Sequence, residues 1–473
     1  MDPRGFLKFE REEVRQRPVH ERKRDFREIP IPHSQEVLIR QAARCMDCGI
    51  PFCHGFGCPL NNRVPEFNDL VHRGKWREAA ENLHSTNNFP EITGRVCPAL
   101  CEAACTLSIN DKPVLIKHIE YQIAERAWAE GWVLPEPPKK STGKKVAVIG
   151  SGPAGLAAAQ QLRRAGYEVA VFEKSDRIGG ILRYGIPDFK LEKWVIDRRL
   201  RQLEAEGVTF HTEINAGVDV SAHYLRKMYD AICLTIGASV PRDLKVPGRE
   251  GAANVFFAME YLTQQNRIVA GDFVAPEERI NAENKVVLVI GGGDTGSDCV
   301  GTANRQGAKK VYQFEILPKP PQQVPPDTPW PWWPRILRSS TSHEEGCERF
   351  WSVKTTGFVR EGPLVKAVHA VEVEWISENG KWVMKDKPEG AFSLEVDLVL
   401  LAMGLLHPQR SGLVESFGLA LDGRGNVLTR DYMTSEEGVF AAGDAIMGAS
   451  LVVRAIRSGR EVAAAIDRYL KSR

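Results

Sequence analysis

The stretch KVAVIGSGPAGLAAAQQL, Lys145–Leu162, determines the fold of most of the chain. Its apolar start, Lys145–Ile149, predicts a short buried strand, and LAAAQQL predicts a helix. Between them lies the glycine loop Gly150–Gly155, G-S-G-P-A-G, whose small residues let the backbone approach a phosphate at the start of a helix. The stretch therefore predicts a strand, a phosphate-binding loop and a helix.

A second apolar strand follows at Glu168–Phe172 and leads directly into Glu173. In dinucleotide-binding folds, an acid about 20 residues after the loop accepts a hydrogen bond from a ribose hydroxyl. A glycine loop alone is weak support, because a tight structural turn is the alternative. The strand, the helix and the acid together favour a dinucleotide site.

The same unit recurs later in the chain. Lys285–Ile290 predicts a strand, Gly291–Gly296 is a second glycine loop, G-G-G-D-T-G, and a helix is predicted to end near Gly307. Val311–Ile316 predicts the next strand. Two such units in one chain predict two nucleotides that meet, a flavin and a nicotinamide.

The C-terminal part supplies a further carboxylate. Val396–Leu401 predicts a strand, and Gly443 and Asp444 come shortly before a helix predicted over Ser450–Leu470. A carboxylate at a strand end suits the ribityl and phosphate end of a flavin, and a helix cap is the alternative role.

Seven of the ten cysteines lie in two short groups, spaced C-x2-C-x4-C-x4-C and C-x3-C-x3-C: Cys45, Cys48, Cys53, Cys58, Cys97, Cys101 and Cys105. Iron–sulfur clusters take four ligands each, often from such runs, so the pattern favours two [4Fe–4S] clusters with one ligand still to find. Zinc would leave three cysteines unused, and a Cys45–Cys48 dithiol would leave five. Cys233 and Cys299 are predicted to be buried and inert.

Length and charge limit the class of protein. The 473 residues suggest about three domains, and 43% hydrophobic residues allow sizeable cores. The net charge of +2 gives no reason to expect nucleic acid or a membrane surface as partner. No apolar run predicts a transmembrane helix or a secretory signal, so we expect a soluble cytoplasmic protein.

The remaining segments are predicted from composition. The first 44 residues are expected to lie on the surface with a solvated charged face. Asn62–His84 and Val114–Trp132 have helical spacing, which predicts a helical cluster domain before the Pro- and Lys-rich linker Leu134–Lys145. Pro318–Trp333 cannot be regular helix or central strand, and we expect a covering loop rather than a docking surface.

Together these motifs resemble the small (β) subunit family of bacterial glutamate synthase over nearly the whole chain. The resemblance rests on RCMDCGIPFCH at Arg44–His54, NFPEITGRVCPALCEAAC at Asn88–Cys105, GSGPAGLAAAQQL at Gly150–Leu162, GGILRYGIPDFKL at Gly179–Leu191, VIGGGDTGSDCVG at Val289–Gly301, FEILPKPP at Phe314–Pro321, SHEEG at Ser342–Gly346 and FAAGDA at Phe440–Ala445. The same module resembles parts of dihydropyrimidine dehydrogenase and of a bifurcating transhydrogenase.

The resemblance implies an α/β fold like glutathione reductase, with tandem dinucleotide-binding domains after an α-helical iron–sulfur domain. On this chain it implies a helical domain with two [4Fe–4S] clusters at 1–140. It implies an FAD-binding domain in two parts, 144–270 and 400–473, with an NAD(P)H-binding domain at 271–399 between them.

The resemblance also implies how the cysteines are shared. One cluster takes Cys45, Cys48, Cys53 and Cys105, and the other takes Cys58, Cys97 and Cys101 with a side-chain oxygen. That oxygen comes from a glutamine in dihydropyrimidine dehydrogenase, and the matching position here is Glu120. An exposed helical glutamate is the alternative for Glu120. The gap between Cys53 and Cys58 is one residue longer than in that enzyme, which leaves the pairing open.

The implied function is electron input. NADPH (or NADH) binds the second glycine loop, FAD binds the first, and electrons pass through the clusters to the large (alpha) subunit of a hetero-oligomer that makes glutamate. The cofactor-binding residues are expected to be Gly150, Gly152, Pro153, Ala154, Gly155, Glu173, Gly180, Arg183, Gly291, Gly293, Asp294, Thr295, Gly296, Gly443 and Asp444. The alternatives are a free-standing or bifurcating NAD(P)H:ferredoxin oxidoreductase and a docking module whose clusters are purely structural.

The choice between NADPH and NADH rests on the end of the second strand in the nicotinamide unit. Glu315 there favours a free ribose hydroxyl, whereas Lys309, Lys310 and Lys319 favour a 2′-phosphate. Bacterial members of the resembling family mostly use NADPH, so NADPH is expected.

Overall fold

The computed structural model describes residues 4–378 and 380–473. Its N-terminal part is helical, with eight α-helices among the described residues: α1 Gly5–Lys8, α2 Val19–Arg22, α3 Gln35–Ala43, α4 Val64–His72, α5 Trp76–Thr86, α6 Pro90–Val96, α7 Leu100–Ala103 and α8 Ile116–Ala129. The apolar faces of α4, α5 and α8 meet in one core. The predicted helical domain is confirmed.

The rest of the chain alternates strands and helices. The strands are β1 Lys145–Ile149, β2 Glu168–Phe172, β3 Val208–His211, β4 Ala231–Leu234, β5 Val255–Phe257, β6 Val286–Ile290, β7 Lys310–Glu315, β8 Glu348–Trp351, β9 Val353–Glu361, β10 Leu364–Glu378, β11 Lys381–Glu395, β12 Leu398–Leu401 and β13 Val439–Ala441. The helices are α9 Pro153–Arg164, α10 Ile181–Tyr184, α11 Lys193–Glu206, α12 Ala222–Met228, α13 Ala258–Val269, α14 Asp294–Arg305, α15 Thr341–Glu344, α16 Leu413–Ser416, α17 Asp444–Met447 and α18 Val452–Lys471.

The first sheet is parallel and has the order β13-β4-β1-β2-β3. Its central strands are apolar on both faces because layers of helices and loops cover them, as parallel sheets require. Helix α18 packs along α9 behind the first glycine loop. Strand β13 comes from the C-terminal part of the chain, so this sheet combines strands from both parts of the sequence predicted for the first nucleotide domain.

The second sheet is also parallel and has the order β5-β12-β6-β7-β8. Strand β5 and helix α13 pack with this sheet although they precede the predicted boundary at residue 270. Strand β12 belongs to it as well. Strand pairing thus favours a transition before Val255, and the domain limits otherwise stay predictions.

A three-stranded antiparallel sheet, β11-β10-β9, covers one side of the second sheet. Val365, Val368 and Ala370 of β10 face the core formed with Leu288 and Val399.

The N-terminal arm forms a hairpin that touches the second nucleotide domain. Arg15 and Ile31 pair through their backbones, and Arg17 pairs with Ile29. At the tip, Arg22 is 1% exposed and its Nε lies 2.8 Å from Glu345 Oε1. A solvated charged face was therefore the wrong prediction for Arg22, because its partner lies more than 300 residues away.

Within the described ranges, the longest helices are too polar to span a lipid bilayer.

Candidate nucleotide and cluster sites

The first glycine loop joins β1 to α9 in the way the sequence predicts. Gly150 has φ +100°, a conformation that favours glycine, and a Cβ at Gly155 would overlap the Gly150 carbonyl oxygen. Gly152 caps the helix, which begins with Pro153 and Ala154, and a Cβ there would meet no protein atom within 4 Å. The helix end is thus open to a ligand at Gly152, where exposed backbone N–H groups suit a pyrophosphate.

Glu173 follows β2 and is only 6% exposed. Its Oε2 accepts from the backbone N–H of Ser151 at 3.1 Å and from the Ser151 hydroxyl at 2.6 Å. Its Oε1 accepts from the Ser175 N–H at 2.8 Å. The carboxylate therefore shapes the loop, and its remaining lone pairs can still accept from a ribose.

Other residues predicted for the flavin site gather around the same loop. A Cβ at Gly180 would lie 2.9 Å from the Gly152 Cα, and one at Gly443 would lie 2.8 Å from the Ala154 Cβ. Asp444 starts α17, accepts from the Ser450 hydroxyl at 2.7 Å, and has its pKa raised by burial.

Arg183 plays a different part from the one predicted. Its Nε donates to the Ile178 carbonyl at 3.0 Å, and its Nη2 pairs with Asp197. These bonds join the segment that contains Gly180 to α11. The side chain is committed within the protein, so a direct contact with flavin stays a prediction.

The second glycine loop repeats this construction between β6 and α14. Gly291 has φ +125°, and a Cβ at Gly296 would overlap its carbonyl oxygen. Gly293 caps the helix and is open in the same way as its counterpart in the first loop. Asp294 and Thr295 stand in the first turn, where an acid also interacts well with the helix dipole.

Glu315 corresponds to Glu173. Its Oε2 accepts from the Gly292 N–H at 2.9 Å, and its Oε1 accepts from the Leu317 N–H at 3.0 Å. Lys310 begins β7 and pairs with Glu348 at 2.8 Å, about 16 Å along the strand from Glu315. A 2′-phosphate contact by Lys310, or by Lys309 before it, is therefore disfavoured, whereas Lys319 follows the end of the strand that carries Glu315.

The segment Gly179–Leu191 connects the two loops. Its first part packs on Gly152, as described above, and its last part reaches α14. Lys190 Nζ lies 2.5 Å from Asp298 Oδ1, and Phe189 is covered by the Arg305 guanidinium at 3.8 Å from its ring centre. One continuous segment thus holds the two nucleotide loops in a fixed relationship.

The seven clustered cysteines are free thiols, and five of them are at most 8% exposed: Cys45, Cys53, Cys58, Cys101 and Cys105. Cys45, Cys48, Cys53 and Cys105 line one cavity. Burial, together with charge at Cys105 and Cys48, raises the pKa of Cys45 to about 12. A Cys45–Cys48 dithiol would leave Cys53 and Cys105, which line the same cavity, without a role, so the dithiol alternative is disfavoured.

The other group forms around Glu120. Burial, followed by the Glu120 charge, raises the pKa of Cys58 to about 12, and burial with Cys58 and Cys97 raises the pKa of Cys101 well above its usual value. Cys58, Cys97, Cys101 and Glu120 therefore lie near one another, and their sharing of one cluster stays a prediction.

Glu120 lies on α8 and is 7% exposed, so an exposed helical glutamate is excluded. Thr93 Oγ1 donates to its Oε1 at 2.5 Å, and the amides of Asn62 and Asn87 donate to its two oxygens at 3.3 Å. Burial raises the pKa of Glu120 to about 7. Sequence reasoning missed these three donors, because nothing in their local sequence marks them as buried.

This arrangement fits iron–sulfur clusters. Two groups of sulfur donors lie in apolar surroundings, each with one position supplied from a distant part of the chain. In the described ranges, no three His, Cys, Asp or Glu side chains converge closely enough to hold a metal ion. A four-iron cluster binds each thiolate at a different iron, so its ligands need not converge on one point.

Helix α6, which runs into Cys97, docks on the first nucleotide domain. Asn88 Nδ2 donates to Gln160 Oε1 at 2.6 Å, and Arg460 Nη1 donates to Asn88 Oδ1 at 2.6 Å. Because Gln160 lies on α9 and Arg460 on α18, Asn88 joins the cluster domain to two helices of the first nucleotide domain.

Two protein families match the two parts of the chain. Residues 22–132 match the dihydropyrimidine dehydrogenase domain II, 4Fe-4S cluster family. Residues 144–329 and 351–459 match the pyridine nucleotide-disulphide oxidoreductase family. The first range contains all seven clustered cysteines and Glu120.

Whole-chain relatives agree with this division. The glutamate synthase [NADPH] small chain of Mycobacterium tuberculosis (strain ATCC 25618 / H37Rv) is 55% identical over 99% of this chain and 96% of that protein. The Bacillus subtilis small chain is 45% identical over 99% and 98%. The glutamate synthase [NADH] of Saccharomyces cerevisiae is 42% identical over 99% of this chain but 22% of that protein.

A solved structure shows the same fold at low identity. FprA from Mycobacterium tuberculosis in complex with NADPH superposes with a TM-score of 0.56 at 16% identity, over 70% of this chain and 85% of that one. Matched over more than half of its length by an oxidoreductase family and over nearly all of it by small chains, this protein belongs to the glutamate synthase small-chain family of pyridine-nucleotide oxidoreductases.

Proposed function

We propose that this chain oxidises NADPH and delivers the electrons to a large glutamate synthase chain, which uses them to form glutamate. The observation that carries the proposal is the segment Gly179–Leu191, which packs on one glycine loop and is ion-paired to the helix of the other. A nicotinamide and a flavin on these loops would be held in a fixed relationship, which hydride transfer requires.

FAD would be held by the first loop. Gly152 would admit the pyrophosphate, Glu173 would accept from the ribose, and Gly443 and Asp444 would border the ribityl side. NAD(P)H would be held by Gly291–Gly296 in the same manner. When bound, the flavin accepts a hydride and can release electrons singly, which suits it to iron–sulfur clusters.

The clusters would be held by the two cysteine groups. We assign Cys45, Cys48, Cys53 and Cys105 to one, and Cys58, Cys97, Cys101 and Glu120 to the other. Helix α6, which leads into Cys97, is joined to the flavin domain by the Glu91–Arg199 pair and by Asn88 just before it, so we place the second group beside that domain. The protein itself would position the clusters and exclude water from them.

We further propose that the chain works in the cytoplasm as one subunit of a hetero-oligomer. Co-expression with the large chain encoded by the same genome tests the proposal. We expect the two to co-purify and to form glutamate from glutamine and 2-oxoglutarate with NADPH. Ferredoxin reduction by the small chain alone, with no glutamate formed in the presence of the large chain, would contradict it and favour the ferredoxin oxidoreductase alternative.

A further inference from the structure

The Pro- and Trp-rich segment that follows β7 folds over the cluster domain. We call residues 318–337 the tryptophan loop. Its two ends are joined, because the Leu337 N–H donates to the Pro321 carbonyl at 2.8 Å, and Arg335 N–H donates to the Thr328 hydroxyl at 3.2 Å. The loop belongs to the second nucleotide domain by sequence, yet its tip contacts the cysteine-rich part of the chain.

Trp330 makes the closest contact between the two parts. Its Nε1–H donates to the backbone carbonyl of Cys105 at 3.2 Å, although the residues are 225 positions apart. Its ring centre lies 4.6 Å from that of Phe52, which directly precedes Cys53. The indole of Trp330 thus contacts Cys105 itself and the residue that precedes Cys53, and both cysteines belong to the first group.

Trp332 provides a natural comparison. Its ring centre lies 5.0 Å from that of Phe56 in an edge-on arrangement, and its side chain is 60% exposed. Trp332 thus contacts the same turn of chain from outside, and neither this ring contact nor its backbone hydrogen bond to Pro329 involves a cysteine. Trp330 is the inner residue of the pair.

Trp330 adjoins the cavity of the first cysteine group, because it contacts Cys105, which lines the cavity, and Phe52, which lies between the lining residues Pro51 and Cys53. Besides the four cysteines, most of the cavity lining is apolar, including Leu107, Val114 and Ile116, and its polar residues are Asn68 and Thr106. A cluster gains negative charge when it is reduced, and apolar surroundings without water disfavour that charge. Access of water therefore sets how easily a cluster in this cavity is reduced.

We propose that Trp330 is a positioning residue for the cluster ligated by Cys45, Cys48, Cys53 and Cys105: it holds the Cys53 and Cys105 segments and keeps water and oxygen away. The inference rests on the cluster assignment in the proposed function. It also implies that protection of this cluster depends on the nicotinamide domain, which carries the loop.

The test compares Trp330→Ala, Trp330→Phe and the matched control Trp332→Ala in anaerobically purified holoprotein. The reduction potentials are measured by redox titration followed by electron paramagnetic resonance, and iron loss is followed after exposure to air. For Trp330→Ala we expect a higher potential for one cluster and loss of about half of the iron several-fold faster than in the unmodified protein. Trp330→Phe keeps the ring and loses the N–H, so its effect should be smaller and in the same direction, and Trp332→Ala should match the unmodified protein.

A fully loaded Trp330→Ala protein with unchanged potentials and unchanged iron loss would overturn the inference. If Trp330→Ala does not load iron, Trp330→Phe decides, and unmodified behaviour of that variant on both measurements would likewise overturn it. Absence of clusters from the unmodified protein would instead overturn the proposed function, so the two failures are distinguishable.

Discussion

Arg199 donates to both carboxylate oxygens of Glu91, from Nε at 2.7 Å and from Nη2 at 2.9 Å, and neither side chain is more than 1% exposed. Glu91 lies on α6, which runs into Cys97, and Arg199 lies on α11 beside the first sheet. The guanidinium also stacks on Trp128 at 4.8 Å. This ion pair therefore fixes the cluster domain against the flavin domain, and with it the separation of their cofactors.

Replacing Glu91 with Gln should destabilise the protein strongly, because it leaves the buried Arg199 charge without a counterion. Loss of one partner of a buried pair costs about 3–5 kcal/mol. The denaturant midpoint of the holoprotein measures this. Glu81→Gln is the control, since Glu81 pairs with Arg77 on an exposed helix face and should cost less than about 1 kcal/mol. Equal midpoints for the two variants would show that the Glu91 pair does not fix the domains.

Stability should fall as the pH drops below about 6.5, and His84 should contribute to the fall. Burial, and then the positive charge of Arg199, lower the pKa of His84 to about 4. Its pKa in the unfolded chain is about 6.5, so the folded state binds fewer protons between these values. Stability is complete above the unfolded pKa and declines by up to about 1.4 kcal/mol per pH unit below it.

The matching measurement compares denaturant midpoints at pH 7 and pH 5 for the unmodified protein and for His84→Gln. The variant should show a shallower decline. If both proteins lose the same stability over this interval, His84 is not held neutral by its surroundings.

Replacing Gly152 or Gly293 with alanine should show which glycine loop binds which nucleotide. Each added Cβ meets no protein atom within 4 Å, so both variants should fold normally. Each Cβ points into the space assigned to a pyrophosphate. Gly152→Ala should therefore lose FAD, whereas Gly293→Ala should keep FAD and bind NADPH at least about tenfold more weakly.

Flavin content and nicotinamide titration distinguish these outcomes. Gly155→Ala serves as the contrasting variant, because its Cβ overlaps the Gly150 carbonyl and should impair folding itself. Normal FAD content in Gly152→Ala would mean that the first loop does not hold the flavin.

Glu120→Ala should remove or distort one cluster. If Glu120 is the fourth ligand of the Cys58, Cys97 and Cys101 group, iron should fall from about eight to about four atoms per chain, with a matching loss of visible absorbance. Glu130→Ala, at the exposed end of the same helix, is the control. An unchanged spectrum and iron content in the Glu120 variant would show that the carboxylate is only a buried hydrogen-bond acceptor.

Lys319→Ala should weaken the binding of NADPH more than the binding of NADH. Lys319 lies four residues beyond Glu315, the residue expected to face the ribose, and its Nζ is 4.9 Å from the Trp351 ring centre. We expect the KM for NADPH to rise about tenfold with little change for NADH, and Lys310→Ala to leave both unchanged. A preference for NADH of several hundredfold in the unmodified protein, measured by steady-state kinetics, would refute the expected use of NADPH.

Local pattern predicted the nucleotide units closely, because strand, glycine loop, helix and acid follow one another within about 30 residues. The strands at Lys145–Ile149 and Glu168–Phe172 have the predicted limits, and Cys233 and Cys299 are fully buried as expected. The prediction that Glu120 is a ligand depended on the family resemblance, because a single glutamate on a helix carries no local sign of burial.

What could not be predicted depends on partners far apart in sequence. The N-terminal arm was predicted to be solvated because Glu345, which pairs with Arg22, lies more than 300 residues later in the sequence. Strand β5 looked like part of the first domain, but its hydrogen-bonding partner, β12, follows about 140 residues later. The tryptophan loop was correctly expected to cover something, and only the fold revealed that it covers Phe52 and Cys105.

The most direct test of the account is the cofactor content of the anaerobically purified chain and its response to NADPH. We expect about one FAD, about eight iron and about eight acid-labile sulfide per chain, with both the flavin and the cluster absorbance bleached by NADPH. Zinc in place of iron, or a flavin that is reduced while the clusters do not respond, would contradict electron transfer through the two cysteine groups.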